Sequence, residues 1–125
     1  MILVDTSVWI DHFRRNDPSL AVLLEGGRVL SHPFVIGELA LGGLRRRDVI
    51  LSALHDLPRA NIATDDEALS FIARNTLFGQ GVGYIDAHLL ASAALTPGAS
   101  LWTRDKRLRA VADRLSLTAK LAAGQ

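Results

Sequence analysis

Four carboxylates stand where carboxylates are hard to explain. Asp5 interrupts the run Ile2-Leu3-Val4-Asp5-Thr6-Ser7-Val8-Trp9-Ile10, and no basic residue lies beside it. Burying an unpaired carboxylate is costly, so such a residue needs a partner. Glu38 is the only charge between Phe34 and Leu41. Asp86 lies near the start of an apolar stretch from Tyr84 to Leu95, and Asp105 follows Thr103 by two residues. Taken singly, three of the four have ordinary explanations: Asp5 and Asp105 suit helix N-caps, and Asp86 suits the start of its own helix. Glu38 resists one, because it breaks an apolar face. Gathered in one site, four carboxylates would repel one another and their pKa values would rise. A divalent cation removes that conflict. A donor set of oxygens, without cysteine or an obvious histidine ligand, suits a hard ion such as Mg²⁺ or Mn²⁺.

The elements that would position these groups are legible in outline. Ile2-Leu3-Val4 is an apolar, β-branched run of the kind found in buried parallel strands. Thr6 or Ser7 suits the cap of a helix carrying Val8, Trp9, His12 and Phe13. Asp17-Pro18 opens a second helix that ends at Gly26-Gly27. Arg28 to Ser31 forms a second strand. Pro33 starts a helix through Glu38, stopped by Gly42-Gly43, and another helix runs from about Arg46 to His55. Ala60 to Ala63 forms a weak third strand. Thr64 and Glu67 make a capping box for a helix over Ala68, Leu69, Ile72 and Ala73. Gly79, Gly81 and Gly83 end it before the Tyr84–Leu95 helix. Ser100 to Thr103 is a fourth strand, Asp105 caps a helix from about Lys106 to Leu115, and a less distinct strand falls near Leu115 to Lys120.

Strands alternating with helices predict an α/β fold, a three-layer α/β/α sandwich around a mostly parallel sheet of four to five strands. In such open sheets the site lies beyond the carboxyl ends of the strands. Asp5 and Asp105 belong there. Asp86 joins them at a helix start, and Glu38 reaches the rim if its helix packs across it.

The chain has 125 residues, 49% of them hydrophobic and 22% charged, which suits one folded domain over residues 1–125. No cysteine is present, so disulfides and thiolate metal sites are excluded. That composition fits the cytoplasm. The N-terminus reads unlike a signal peptide, and no apolar run approaches the roughly 20 residues of a membrane helix. Net charge is only +1, but basic residues cluster at Arg14-Arg15, at Arg45-Arg46-Arg47 and from Arg104 to Arg109. Such clusters form either solvated faces or phosphate-tracking surfaces. Arg14, Arg15, Arg45, Arg46 and Arg104 are the candidates for contact with a phosphate backbone. Trp9 and Phe13, one helical turn apart with Ile10 beside them, form either core or a groove for an apolar partner. The four histidines lack metal-ligand spacing and read as structural.

The opening segment, Ile36-Gly37-Glu38-Leu39, Ile85-Asp86-Ala87-His88-Leu89-Leu90-Ala91-Ser92-Ala93 and Leu101-Trp102-Thr103-Arg104-Asp105-Lys106 together resemble the PIN-domain family, and within it the VapC-type toxins of bacterial toxin–antitoxin pairs. The resemblance spans nearly the whole chain. It implies a Mg²⁺- or Mn²⁺-dependent endoribonuclease in which Asp5, Glu38, Asp86 and Asp105 match the four acidic positions. Thr103 matches the active-site hydroxyl, and Thr6 is a further supporting hydroxyl. It also implies an RNA substrate, a small cognate antitoxin that blocks the site, and a homodimer. Cleavage by activated water would leave a 5′-phosphate.

Two other classes compete. A phospho-acceptor signalling domain also uses strand-end acids, Mg²⁺, a threonine and a lysine, which Thr103 and Lys106 superficially supply. It wants paired acids after the first strand, where this chain has Asp5-Thr6, and it gives Glu38 no purpose. A catalytically silent RNA- or protein-binding module gives no purpose to the complete set of acids.

Overall fold

The shortest strands sit where burial is greatest. In the computed structural model, which describes residues 1–121, β1 (Ile2–Val4) is buried at every position. It lies at the centre of a parallel sheet of order β2-β1-β3, with β2 at Val29–Leu30 and β3 at Ser100–Trp102. Leu3 faces Leu30 on one side and Leu101 on the other. Helices packed against the sheet leave β1 no solvent-facing side, which is why it carries no alternation. Seven helices flank the sheet among the described residues. Between β1 and β2 lie α1 (Thr6–Arg14) and α2 (Pro18–Glu25). Between β2 and β3 lie α3 (Pro33–Ala40), α4 (Arg47–His55), α5 (Asp65–Arg74) and α6 (Tyr84–Leu95). After β3 comes α7 (Lys106–Arg114).

The sheet is narrower than the sequence predicts. It has three strands, not four to five. At each edge a single parallel bridge, Ser31 to Arg59 and Leu101 to Thr118, marks where a further strand begins and fails to extend. The expected strand at Ala60–Ala63 loses its ladder to α6. The Asn61 N–H donates to Thr96 Oγ1, Asn61 Nδ2 donates to the Leu95 carbonyl, and the Ala63 N–H donates to Ser92 Oγ. Alanine and asparagine have little strand preference to oppose this capture. Near the C-terminus the Leu101 N–H donates to Leu117, and the Ala119 N–H donates back to Leu101. Residues 122–125 lie outside the description.

Helix starts follow local chemistry. Asp17 caps α2 by accepting from the Ser19 and Leu20 N–H groups. At α5, the Thr64 side chain accepts from the Glu67 N–H, and Glu67 reaches back to the Thr64 N–H. Thr64→Ala should therefore cost about 1 kcal/mol in a denaturant titration. His32 caps α3, with Nδ1 accepting from the Phe34 N–H. Its neutral tautomer must then donate from Nε2 to Ser92 Oγ, 3.1 Å away. Gly79 and Gly81, both at positive φ, turn the chain toward α6. Gly81 sits at φ 76°, a conformation side-chain-bearing residues rarely adopt, so glycine suits this turn.

Candidate active site

The first residue beyond β1 is Asp5. Its N–H donates to the Trp102 carbonyl, closing the end of the sheet, and its own carbonyl accepts from Val8 and Trp9 to begin α1. Asp5 occupies the N-cap position, but its side chain does not cap. Instead Oδ2 accepts from the Ser7 hydroxyl at 2.8 Å and the Thr103 hydroxyl at 2.7 Å. Both hydroxyl protons are thereby committed. Each hydroxyl oxygen then accepts a backbone N–H, Ser7 from Arg104 and Thr103 from Asp105. This ring of bonds ties β1, the first turn of α1 and the β3–α7 turn together. It also answers the cost of burying Asp5, which is 5% exposed: two hydroxyl donors face one of its oxygens. Oδ1 keeps no side-chain partner among the described residues and is free to take a ligand.

The other acids come to the same end of the sheet. Asp105 caps α7, with Oδ1 accepting from the Leu108 N–H at 3.0 Å, and the residue is exposed. Glu38, in the last turn of α3, is exposed, and Thr6 donates to its Oε1 at 2.9 Å. Thr6 thus holds Glu38 across 32 residues of sequence. Asp86 lies in the first turn of α6. Its carboxyl is pushed up to about 6, by partial burial first and then by the negative charges of Asp5, Asp105 and Glu38. A helix start alone would push the other way, so burial and the neighbouring acids together outweigh it. Four acids from four separate segments therefore share one electrostatic site. Among the described residues no three or more His, Cys, Asp or Glu side chains stand close enough together to hold a metal ion.

Ser7 is the residue the sequence reading undervalued. It appeared as an alternative helix cap, whereas it is a second donor to Asp5. The available signal was its place two residues beyond the acid, within the first turn of the following helix. Thr103 holds Asp105 through the backbone N–H and reaches the carboxylate of Asp5, not that of Asp105. Thr103→Val removes one donor to Asp5 and the acceptor for Asp105. Removing a group that holds an acid in this way typically costs roughly 10–100-fold, and the turnover of the variant beside wild type would measure it.

The basic candidates divide. Arg14 and Arg45 line an open cleft of about 590 Å³ with Glu38, between α1, α3 and the start of α4. Arg15 lies away from it, in a second cleft beside Thr103 that Arg14 also lines. Arg46 is the exposed N-cap of α4, at φ 53°. Arg104, the expected best RNA contact, pairs with Asp11 at 3.1 Å and with Asp17. Its guanidinium is thus taken up by two carboxylates. Trp9 belongs to the core, 3% exposed, and stacks on Phe13 with ring centroids 5.7 Å apart. Beside it Phe13, Leu24, Ile50, Leu54 and Leu57 leave an apolar cleft of about 200 Å³. His32 and His88 are buried and structural in their contacts. His88 Nε2 pairs with Asp65, and burial lowers His32 to about 4, helped by His88 and Arg59.

The PIN domain profile matches residues 2–114. The chain belongs to the PIN-domain family. Proteins called Ribonuclease VapC32, from two strains of Mycobacterium tuberculosis, are each 53% identical to it over 110 residues. That alignment covers 88% of this chain and 89% of each relative. Every acid of the site lies inside the family match. None of the helices among the described residues is long and apolar enough to cross a membrane.

Proposed function

We propose that this PIN domain is a divalent-metal-dependent endoribonuclease, the toxin of a VapC-type toxin–antitoxin pair. The single observation that carries the site assignment is the mutual burden of its acids. Asp86 is driven toward protonation by its burial first and then by Asp5, Asp105 and Glu38, a conflict that a cation relieves. The donor set fits Mg²⁺ or Mn²⁺, because all four side chains offer hard carboxylate oxygens. Asp5, Asp86, Asp105 and Glu38 would hold the ion. When bound, such an ion lowers the pKa of its water and neutralises phosphate charge.

The chain's own groups supply the rest. Ser7 and Thr103 hold Asp5 so that its second oxygen faces the site. Thr6 fixes Glu38, which is placed to ligate the ion or to orient the attacking water. The name of the 53%-identical relatives supports RNA as the substrate. The same reading includes a small antitoxin, a homodimer and a cytoplasmic location. The apolar cleft at Phe13, Ile50 and Leu54 suits an apolar partner segment.

Incubation of the partner-free protein with total cellular RNA should give discrete fragments in Mg²⁺ or Mn²⁺ and none in EDTA. The fragments should carry 5′-phosphates, since no step uses the RNA 2′-hydroxyl as nucleophile. A 2′,3′-cyclic phosphate end would reject the hydrolytic mechanism. Metal-independent cleavage would reject the site.

A further inference from the structure

We propose that the cleft beside Thr103 binds single-stranded RNA, with the indole of Trp102 stacked on an unpaired base next to the scissile phosphate. This rests on the ribonuclease reading and deepens it. Trp102 is the last residue of β3 and immediately precedes Thr103. It pairs with Val4 across the sheet, and its carbonyl takes the Asp5 N–H at 2.9 Å. Val4 directly precedes Asp5, and Asp105 follows Trp102 by three residues, so the indole is rooted near two of the acids. The other tryptophan, Trp9, is sealed in the core, whereas Trp102 is half-buried and lines the cleft.

Charge makes the cleft suited to phosphate. It measures about 900 Å³, and Arg14, Arg15, Lys106 and Arg109 line it with Trp102 and Thr103. Those four cations are exposed, and none forms an ion pair among the described residues. Two acids share the cleft, Asp11 and Asp17, but Arg104 bridges both. Four further cations then stand against a single unmatched negative charge. Arg104 also lies 6.0 Å from the centroid of the Trp102 ring, which ties the indole to the same bridge. The role of Arg104 is thus to neutralise and position, and phosphate contact falls to Lys106 and Arg109.

An aromatic ring set among cations is the arrangement that holds single strands, because each base offers a face for stacking while the cations track the backbone. A duplex keeps its base faces stacked internally and has none to offer. An acidic peptide would meet the cations but leave the indole without a flat partner.

The test uses the Asp5→Asn protein in Mg²⁺, titrated with a single-stranded RNA oligonucleotide, the same sequence as duplex, and an acidic peptide. Tryptophan fluorescence is the readout. Single-stranded RNA should quench it, and the duplex and peptide should not. Adding Trp102→Phe should abolish the quench and keep affinity within a few-fold, because phenylalanine still stacks. Adding Trp102→Ala should weaken binding on the order of 10–100-fold. Adding Lys106→Ala with Arg109→Ala should reduce the salt slope by about 1.4, at roughly 0.7 per single-strand phosphate contact.

In the otherwise wild-type enzyme, Trp102→Ala should raise KM and leave kcat nearly unchanged. No quench, unchanged affinity with Trp102→Ala, or a quench by the peptide alone would overturn the stacking cleft. Metal-dependent cleavage of the same oligonucleotide by the wild type is measured alongside. Its absence would overturn the ribonuclease reading, and its presence with a silent Trp102 would overturn only the cleft.

Discussion

Asp5→Asn is expected to lower metal-dependent RNA cleavage by more than about 100-fold and to leave the protein folded. The amide oxygen still accepts the Ser7 and Thr103 hydroxyls, so the ring of bonds joining β1, α1 and the β3–α7 turn survives. What disappears is the negative charge at the centre of the acidic site. A donor NH₂ also replaces Oδ1, the oxygen that would ligate the ion under the proposed reading. Outer-shell losses cost roughly 10–100-fold, and a direct ligand should exceed that. Cleavage of a defined RNA across a range of Mg²⁺ concentrations, beside a thermal melt, reads both halves. Activity within 10-fold of wild type, with an unchanged melt, would remove Asp5 from the metal site.

The second large effect has opposite signs for function and stability. Asp86→Asn should abolish cleavage and yet stabilise the metal-free protein at neutral pH. The Asp86 carboxyl sits near 6 in the folded chain against an ordinary value of 3.8. A raised carboxyl pKa means the folded state binds the proton more tightly than the unfolded chain does. The native state is therefore unpenalised below about pH 4, loses stability as pH rises toward 6, and bears the whole penalty above it. Discounted for the partial exposure of Asp86, that penalty is about 1–2 kcal/mol. Asp86→Asn removes it and should raise the metal-free melting temperature at pH 7.5 by several degrees.

His32 acts in the reverse direction. Held near 4, it resists protonation in the fold and costs up to about 3 kcal/mol as pH falls from 6.5 to 4. In the wild type the two dependences oppose each other between pH 4 and 6. In Asp86→Asn the acid lability of His32 should stand alone and steepen the loss. Saturating Mg²⁺ should raise the wild-type melting temperature at pH 7.5 and leave that of Asp86→Asn nearly unchanged. A less stable Asp86→Asn protein at pH 7.5 without metal would reject the electrostatic account.

The acids were legible because their sequence settings conflict with their polarity. Glu38 amid Phe34–Leu41 and Asp5 between apolar runs each lacked a local partner, and that lack pointed outward to an ion. Helix positions were legible too, since caps and breakers act within a few residues: Asp17, Thr64 with Glu67, and Asp105 all cap as their local sequence suggests. The edges of the sheet were not. Ala60–Ala63 had strand-like polarity, and its backbone N–H groups went to Ser92 and Thr96 on α6, partners about 30 residues away in sequence.

Taken alone, the sequence determined the helices and the parallel core, and it singled out Asp5, Glu38, Asp86 and Asp105 as one candidate group. The helices and core arise from local preference and apolar burial; of the four acids only Asp5 is buried, and Glu38 and Asp105 are exposed. The tertiary structure decided how each acid is held, which basic residues are free and where the sheet stops. Ser7 and Thr103 meet on Asp5 across 96 and 98 residues, and Arg104 is spent on Asp11 and Asp17. Such pairings depend on which segments the fold brings within hydrogen-bond reach. A hydroxyl or a guanidinium carries no mark in sequence of the partner it will find.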